Sequence, residues 1–210
     1  MVFQHRVEAA YLLADELKQY KNQEALVLAI PRGGIPLGYV VAKELNLPLE
    51  VVLSKKIGHP NQKEFAIGAV TLRSRILSPS ISDVSSKYIE DETQAIRAFL
   101  AKRYQEYYGE KTPPELNNKI VIVIDDGIAT GNTILSTLEM LHNEKPNRIV
   151  VAVPVSSKEA LKKLQKSPFI DEVVCLLTPT NFQAVGQFYE NFDTVENAEV
   201  KNLLNQKTVD

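Results

Sequence analysis

The apolar residues of this chain alternate between two spacings. Short unbroken runs occur at Ala25-Leu-Val-Leu-Ala-Ile30, Lys119-Ile-Val-Ile-Val-Ile124, Arg148-Ile-Val-Val-Ala-Val153 and Glu172-Val-Val-Cys-Leu-Leu177. Their length and β-branched content suit strands covered on both faces. Leu49–Ser54 and Phe65–Thr71 read as two more strands. Between the runs the period changes to three and four. Val7, Ala10, Tyr11, Leu13, Ala14 and Leu17 share one broad face of a helix predicted over Val7–Tyr20. Further helices are predicted over Ile35–Leu45, Thr133–Asn143, Ser157–Lys166 and near Glu196–Leu204. A long one spans about Val84–Tyr108, with Tyr88, Ala95, Ile96, Phe99, Leu100, Arg103 and Tyr107 as its ladder. Lys55–Glu64 is polar and holds Gly58 and Pro60, so it reads as a mobile loop, and Thr112-Pro-Pro-Glu115 breaks the chain.

Strands that alternate with helices predict an α/β fold, a mostly parallel twisted sheet flanked by helices and joined by right-handed crossovers. No internal repeat or low-complexity tract divides the chain, so a single domain over 1–210 is expected. Ligands of such sheets bind at the carboxyl ends of the strands. Three strands here end in polar or glycine-rich loops, and chemistry is expected there.

The most informative of these is Val121-Ile-Val-Ile-Asp-Asp-Gly-Ile-Ala-Thr-Gly-Asn-Thr133. A buried strand delivers Asp125 and Asp126 to its carboxyl end. The chain then turns through Gly127–Asn132 and enters a helix at Thr133. Amides of such a turn, together with the helix N-terminus, form an anion site, and Thr130 and Thr133 add hydroxyls. A phosphate cradle beside two acids suits a sugar phosphate, because the acids can accept hydrogen bonds from neighbouring ribose hydroxyls. Neither a Gly-x-x-x-x-Gly-Lys-Ser/Thr loop nor a Gly-x-Gly-x-x-Gly loop is present. Ile30-Pro-Arg-Gly-Gly34 ends the first strand of the sheet; its glycines permit close approach to a ligand, and Arg32 supplies a planar cation.

The motif Val121–Thr133 resembles the binding motif for 5-phosphoribosyl-1-pyrophosphate (PRPP) of the type I phosphoribosyltransferases, and every position matches. The resemblance covers about Ala25–Leu177 and extends to a subgroup with a long middle helix and an unassigned acceptor. It implies that Asp125 and Asp126 hold the ribose hydroxyls, with Gly127 in the turn, and that Ala129, Thr130, Gly131, Asn132 and Thr133 hold the 5-phosphate. It makes Pro31–Gly34 the pyrophosphate loop, with Arg32 and Gly33, and such loops often carry a non-proline cis peptide, here at Pro31-Arg32 or Arg32-Gly33. It makes Lys55–Gly68 a flexible catalytic lid, in which Lys55 or Lys56 reaches pyrophosphate and Glu64 and His59 are candidate acid–base groups. A small hood lobe, mainly about 178–210 with a share from the N-terminus, would recognise the nucleophile; Phe182, Phe188 and Tyr189 are its candidate stacking rings. Family members that act on 6-oxopurines carry an aspartate three residues after the second acid, where this chain has Ala129.

The implied activity is transfer of the 5-phosphoribosyl group from PRPP to a nitrogen nucleophile, a nucleobase by expectation, with pyrophosphate released. Mg2+ would be bound through substrate and water rather than through direct protein ligands. A PRPP-binding regulator without transferase activity is the alternative. That reading predicts an appended nucleic-acid-binding element, and only about 24 residues precede the first strand, with no basic helix-turn-helix pattern. Composition narrows the field further. A formal net charge of -2 gives no basic surplus for a nucleic-acid partner, and no run is long and apolar enough to suggest a membrane span. The single cysteine, Cys175, precludes an intramolecular disulfide and fits packing in a buried strand. His5, His59 and His142 lack metal-ligand spacing. Ser156-Ser157 reads as a helix cap, and Lys158, Lys162, Lys163 and Lys166 as a solvated helix face. The N-terminus lacks a signal-peptide pattern, so a cytoplasmic location is expected, and a homodimer is left open.

Overall fold

A computed structural model describes residues 2–78 and 83–209. The elements in chain order are α1 (Arg6–Glu16), β1 (Ala25–Ala29), α2 (Gly34–Leu45), β2 (Leu49–Val51), β3 (Ser54–His59), β4 (Gln62–Thr71), β5 (Arg75–Leu77), α3 (Ser86–Tyr108), β6 (Ile120–Ile124), α4 (Asn132–His142), β7 (Arg148–Val155), α5 (Lys158–Gln165), β8 (Glu172–Leu177) and α6 (Asn197–Leu204). Short 3-10 turns follow α1 at Lys18–Tyr20 and precede the last helix at Val185–Phe188.

Five strands form a parallel sheet in the order β2-β1-β6-β7-β8. The unbroken apolar runs of β1, β6 and β7 are explained by burial on both faces, while the edge strand β8 is half-buried throughout. Val27, Ile122, Ile124, Val150 and Ala152 meet Ala10 and Leu13 of α1 and Leu37 and Val41 of α2. The alternate residues Leu26, Leu28, Val121, Val123, Ile149 and Val151 meet Ile134, Leu138 and Leu141 of α4 and Ala160 and Leu164 of α5. Period-two alternation therefore fills both layers from one strand. The Ser157 hydroxyl caps α5 by accepting from the Ala160 amide at 3.1 Å, as expected from the sequence.

The structure corrects one element. Lys55–Glu64 is not a loop but most of a β-hairpin: β3 and β4 pair antiparallel, and only Pro60-Asn61 separates them. With β5 they form a second, three-stranded sheet. The polar residues that suggested a loop occupy its exposed side, where Lys56 and Glu64 form a 2.8 Å ion pair. Ile57 and Ile67 point the other way and are fully buried with Val70 against Ile89, Ile96 and Leu100 of α3 and Val200 and Leu204 of α6. The hairpin is tied at both ends. Tyr88 of α3 donates its hydroxyl to the Gly58 carbonyl at 2.8 Å. At the root, the hydroxyls of Ser54 and Thr137 lie 2.9 Å apart, and Thr137 also donates to the Thr133 carbonyl at 3.0 Å. No helix among the described residues is long and apolar enough to cross a membrane.

Candidate functional site

The carboxyl ends of β1, β6 and β7 lie side by side, and their three loops form the site. The Ile30 amide donates to the Ile124 carbonyl at 2.8 Å, so the loop after β1 is fastened to the last residue of β6. The fit beyond that point tolerates no side chain. A Cβ on Gly34 would lie 2.6 Å from the Ile124 carbonyl oxygen, and one on Gly33 would fall on the carboxylate of Asp126. The Pro31-Arg32 peptide is cis, as the sequence suggested. Arg32 is exposed and makes no hydrogen bond or ion pair among the described residues. Its neighbours across a cleft of about 420 Å³ include Ser54, Phe99 and Arg103.

Asp125 and Asp126 follow β6 directly. The Asp125 carboxylate accepts from the Asp126 amide at 2.9 Å. Its pKa is pushed well above the usual carboxylate range, first by loss of water and then by the charge of Asp126. The Asp126 pKa is also raised by burial, but the Arg6 guanidinium opposes that shift. Arg6 donates to Asp126 Oδ2 through Nε at 3.0 Å and Nη2 at 2.8 Å. The Tyr189 hydroxyl holds the Asp126 carbonyl at 2.7 Å.

The next turn has its carbonyls directed toward β7 and α5. The Ile128 carbonyl accepts from the Ser157 amide at 3.0 Å, and the Ala129 carbonyl from the Ser157 hydroxyl at 2.6 Å. Lys163 Nζ lies 3.2 Å from the Thr130 carbonyl and 3.1 Å from Asn132 Oδ1. Gly131 takes the left-handed conformation, φ +77°, that L side chains rarely adopt, and α4 begins at the next residue. The first amides of a helix have no intrahelical acceptor, so Asn132 and Thr133, whose amides have no acceptor among the described residues, open α4 at the positive end of its dipole. Ala129, Thr130, Asn132 and Thr133 are exposed at this mouth, whereas Gly127 packs against Val155 and Val185.

The structure therefore brings Arg32, Gly33, Asp125, Asp126, Gly127 and Ala129–Thr133 together at the carboxyl end of the sheet. The expected lid residues lie on the hairpin instead. Lys56 is joined to Glu64, and Lys55 Nζ sits 4.4 Å from the Phe99 ring centroid. No hydrogen bond or ion pair connects either lysine or Glu64 with the acid pair among the described residues. Phe188 and Tyr189 are buried, and Phe182 stacks on Phe188 at 5.6 Å, so these rings serve packing. Residues 3–4 pair with 188–191: Phe3 donates to the Phe188 carbonyl, and Glu190 and Asn191 donate back to Phe3 and Gln4. Sequence reasoning missed Arg6, gave Tyr189 only as a candidate stacking ring and assigned Lys163 to solvent. Only the spacing of the α5 lysines carried any signal, since Lys163 follows the Ser157 cap by nearly two turns.

The family model for the phosphoribosyl transferase domain matches residues 4–192. A Mycobacterium tuberculosis protein provisionally named a phosphoribosyl transferase is 32% identical over 211 residues, covering 98% of this chain and 47% of the relative. The chain thus spans about half the length of the curated relatives it matches. A crystal structure of a protein from Thermus thermophilus is 36% identical, with a TM-score of 0.84 over 97% of this chain and 98% of that one. The purine phosphoribosyltransferase of Pyrococcus horikoshii, 17% identical with a TM-score of 0.50 over 91% and 93% of the two chains, shares the fold alone.

Proposed function

The chain belongs to the phosphoribosyl transferase domain family, and from that premise we propose that it transfers the 5-phosphoribosyl group of PRPP to a nitrogen nucleophile. One observation carries the reading: an acid pair lies hard against the Pro31–Gly34 loop on one side and opens onto the amide-rich start of α4 on the other. The two sides match the two ends of one substrate. The 5-phosphate belongs in the turn 129–133, the ribose diol on Asp125 and Asp126, and the pyrophosphate beside Gly33 and the exposed Arg32.

In the reaction the bond from the anomeric carbon to pyrophosphate breaks with its electron pair on the leaving group. The new bond to the nucleophile nitrogen then takes up the positive character of the ribosyl centre. The chain supplies position and charge, since no side chain needs to become covalently attached. Arg32 would stabilise the departing pyrophosphate, with Lys55 and Lys56 joining it from the hairpin. Magnesium would accompany PRPP, carried mainly by substrate oxygens and water as this ion commonly is. When bound it would neutralise pyrophosphate charge. The hood reading places nucleophile recognition on 178–210 together with the N-terminal residues that pair with 188–191.

The test is pyrophosphate release from PRPP and magnesium with a panel of nucleobases and amines. Release that depends on one acceptor is expected; PRPP binding without release from any acceptor would favour the regulatory alternative. Ala129 sharpens the expectation, because a methyl group can neither donate nor accept a proton. Hypoxanthine and guanine are therefore not expected to be the best acceptors, and fastest release with either would overturn this point.

The hairpin gives a second expectation. Its exposed outer face and the register shifts between Ile57, Gly58 and His59 suit a flap that loosens without losing its root. Backbone amides of 56–64 are expected to exchange faster than those of β6 in the free protein and to slow when PRPP and magnesium are added. Equal exchange in both states would mark a static hairpin.

A further inference from the structure

Asp126 is held at both of its ends by residues far away in sequence. Arg6 grips its carboxylate, and Tyr189 grips its carbonyl oxygen. The two gripping residues are themselves joined. The Arg6 guanidinium lies 4.0 Å from the centroid of the Phe192 ring, and Phe192 stacks on Tyr189 with centroids 5.0 Å apart and planes at 27°. Arg6 Nη1 donates to the Asp193 carbonyl at 2.8 Å. The result is a closed circuit, Arg6 to Asp126 to Tyr189 to Phe192 and back to Arg6. The side chains of Arg6 and Asp126 are only 12% and 15% exposed. With Asp126, Asp193 and the Phe192 ring all engaged, Arg6 has little capacity left to capture an anion from solution. Its work is directed at Asp126.

We propose that Arg6 is a positioning residue for ribose binding: it fixes Asp126 as an ionised carboxylate, oriented between Gly33 and the turn, so that this acid can accept the ribose hydroxyls. The proposal rests on the PRPP reading of the site. Several facts support it. Both Arg6 donors converge on the single oxygen Oδ2, so the other carboxylate oxygen is not used by Arg6. The charged and titratable groups that face Asp126 are Asp125 beside it, Arg6 from α1 and Tyr189 from the segment after β8; Gly33 contributes backbone only. Arg6 is thus the one cation in this set. It offsets the loss of water, which pushes Asp126 toward the neutral form. A neutral Asp126 would lose the charge-assisted part of its hydrogen bonds to a diol.

The experiment compares wild type, Arg6→Met and Arg6→Lys in two measurements. The first is the titration of the Asp126 side chain by carboxyl 13C NMR, which needs no ligand. Its midpoint is expected to rise by at least about one pH unit in Arg6→Met, the usual scale for loss of an adjacent opposite charge, and by less in Arg6→Lys. The second is calorimetry of PRPP with magnesium across pH. In Arg6→Met the affinity should fall at least about tenfold relative to wild type near pH 6, and the gap should narrow toward pH 9. PRPP's own titration cancels because each comparison is made at one pH. If Arg6→Met does not fold, Arg6→Gln takes its place, since it keeps a donor and loses the charge. An unchanged Asp126 midpoint in a folded variant overturns the proposal. So does an affinity loss of the same size at every pH, which would mark a merely structural role. Absence of PRPP binding by the wild-type protein would refute the underlying reading instead, and the ligand-free titration would still decide whether Arg6 keeps Asp126 ionised.

Discussion

Replacing Gly33 by Ala is expected to lower PRPP affinity roughly a hundredfold, about 2.7 kcal/mol, and to destabilise the free protein. The reason is geometric. The added methyl would occupy the space of the Asp126 carboxylate, which packs directly against the Gly33 backbone. A long side chain could step aside at little cost, but Asp126 is short and is pinned by Arg6. Its carboxylate would have to rotate away and break a largely buried ion pair, at about 3 kcal/mol. For a chain of this size that corresponds to a fall in melting temperature on the order of 10 °C. The displaced acid would also leave the position proposed for the ribose hydroxyls. A double-mutant cycle locates the cause. In an Asp126→Ala background the same Gly33→Ala change should cost little stability, because its collision partner is gone. An equal cost in both backgrounds would place the strain in the loop backbone and refute this account.

The second large effect concerns the acids. Asp125→Asn combined with Asp126→Asn is expected to cut PRPP affinity at least about tenfold, the worth of one charge-assisted hydrogen bond. Unchanged affinity of a folded double variant in calorimetry would sink the assignment of the motif. The two single variants should differ in stability. Asp125 has a raised pKa, so the folded state binds its proton more tightly than the unfolded chain does. The stability that this proton contributes is fully present below the ordinary carboxylate range and is lost as pH rises through the raised folded value. Burial makes the ionised form of Asp125 costly, so Asp125→Asn, which cannot ionise, should melt at or above the wild-type temperature at neutral pH. Asp126→Asn should melt lower, since it leaves Arg6 largely buried without its counter-charge.

Much of this site could be read from the sequence because its central part is local. Strand, two acids, turn and helix follow one another within Val121–Thr133, and the physics of each step acts over a few residues. The buried strands β1, β6 and β7 were equally plain, since burial on both faces leaves an unbroken apolar run, whereas the edge strand β8, read as buried, is only half-buried along its length. Two things were not legible, for different reasons. The hairpin over 54–71 has one solvated face, and its polar positions, Lys55, Lys56, Lys63 and Glu64, together with Gly58 and Pro60, imitate a loop until the burial of Ile57 and Ile67 against α3 is known. Arg6 was invisible because its partner lies 120 residues away, and an arginine at the start of an amphipathic helix has no local feature that marks it. Tyr189 was noticed as an aromatic ring, yet the group it contributes is its hydroxyl.

The hydroxyl pair at the root of the hairpin has a mechanical consequence. Thr137 donates to the Thr133 carbonyl, so in the 2.9 Å contact it is Ser54 that donates to Thr137. Ser54 begins the hairpin, and Thr133 lies in the first turn of α4. Two loops proposed to hold opposite ends of one small molecule thus share a hinge of two hydroxyl bonds. A small tilt of α4, as its first turn closes on an anion, would be passed to the base of the hairpin and amplified along its length. Filling one end of the site and closing the other would then be a single movement.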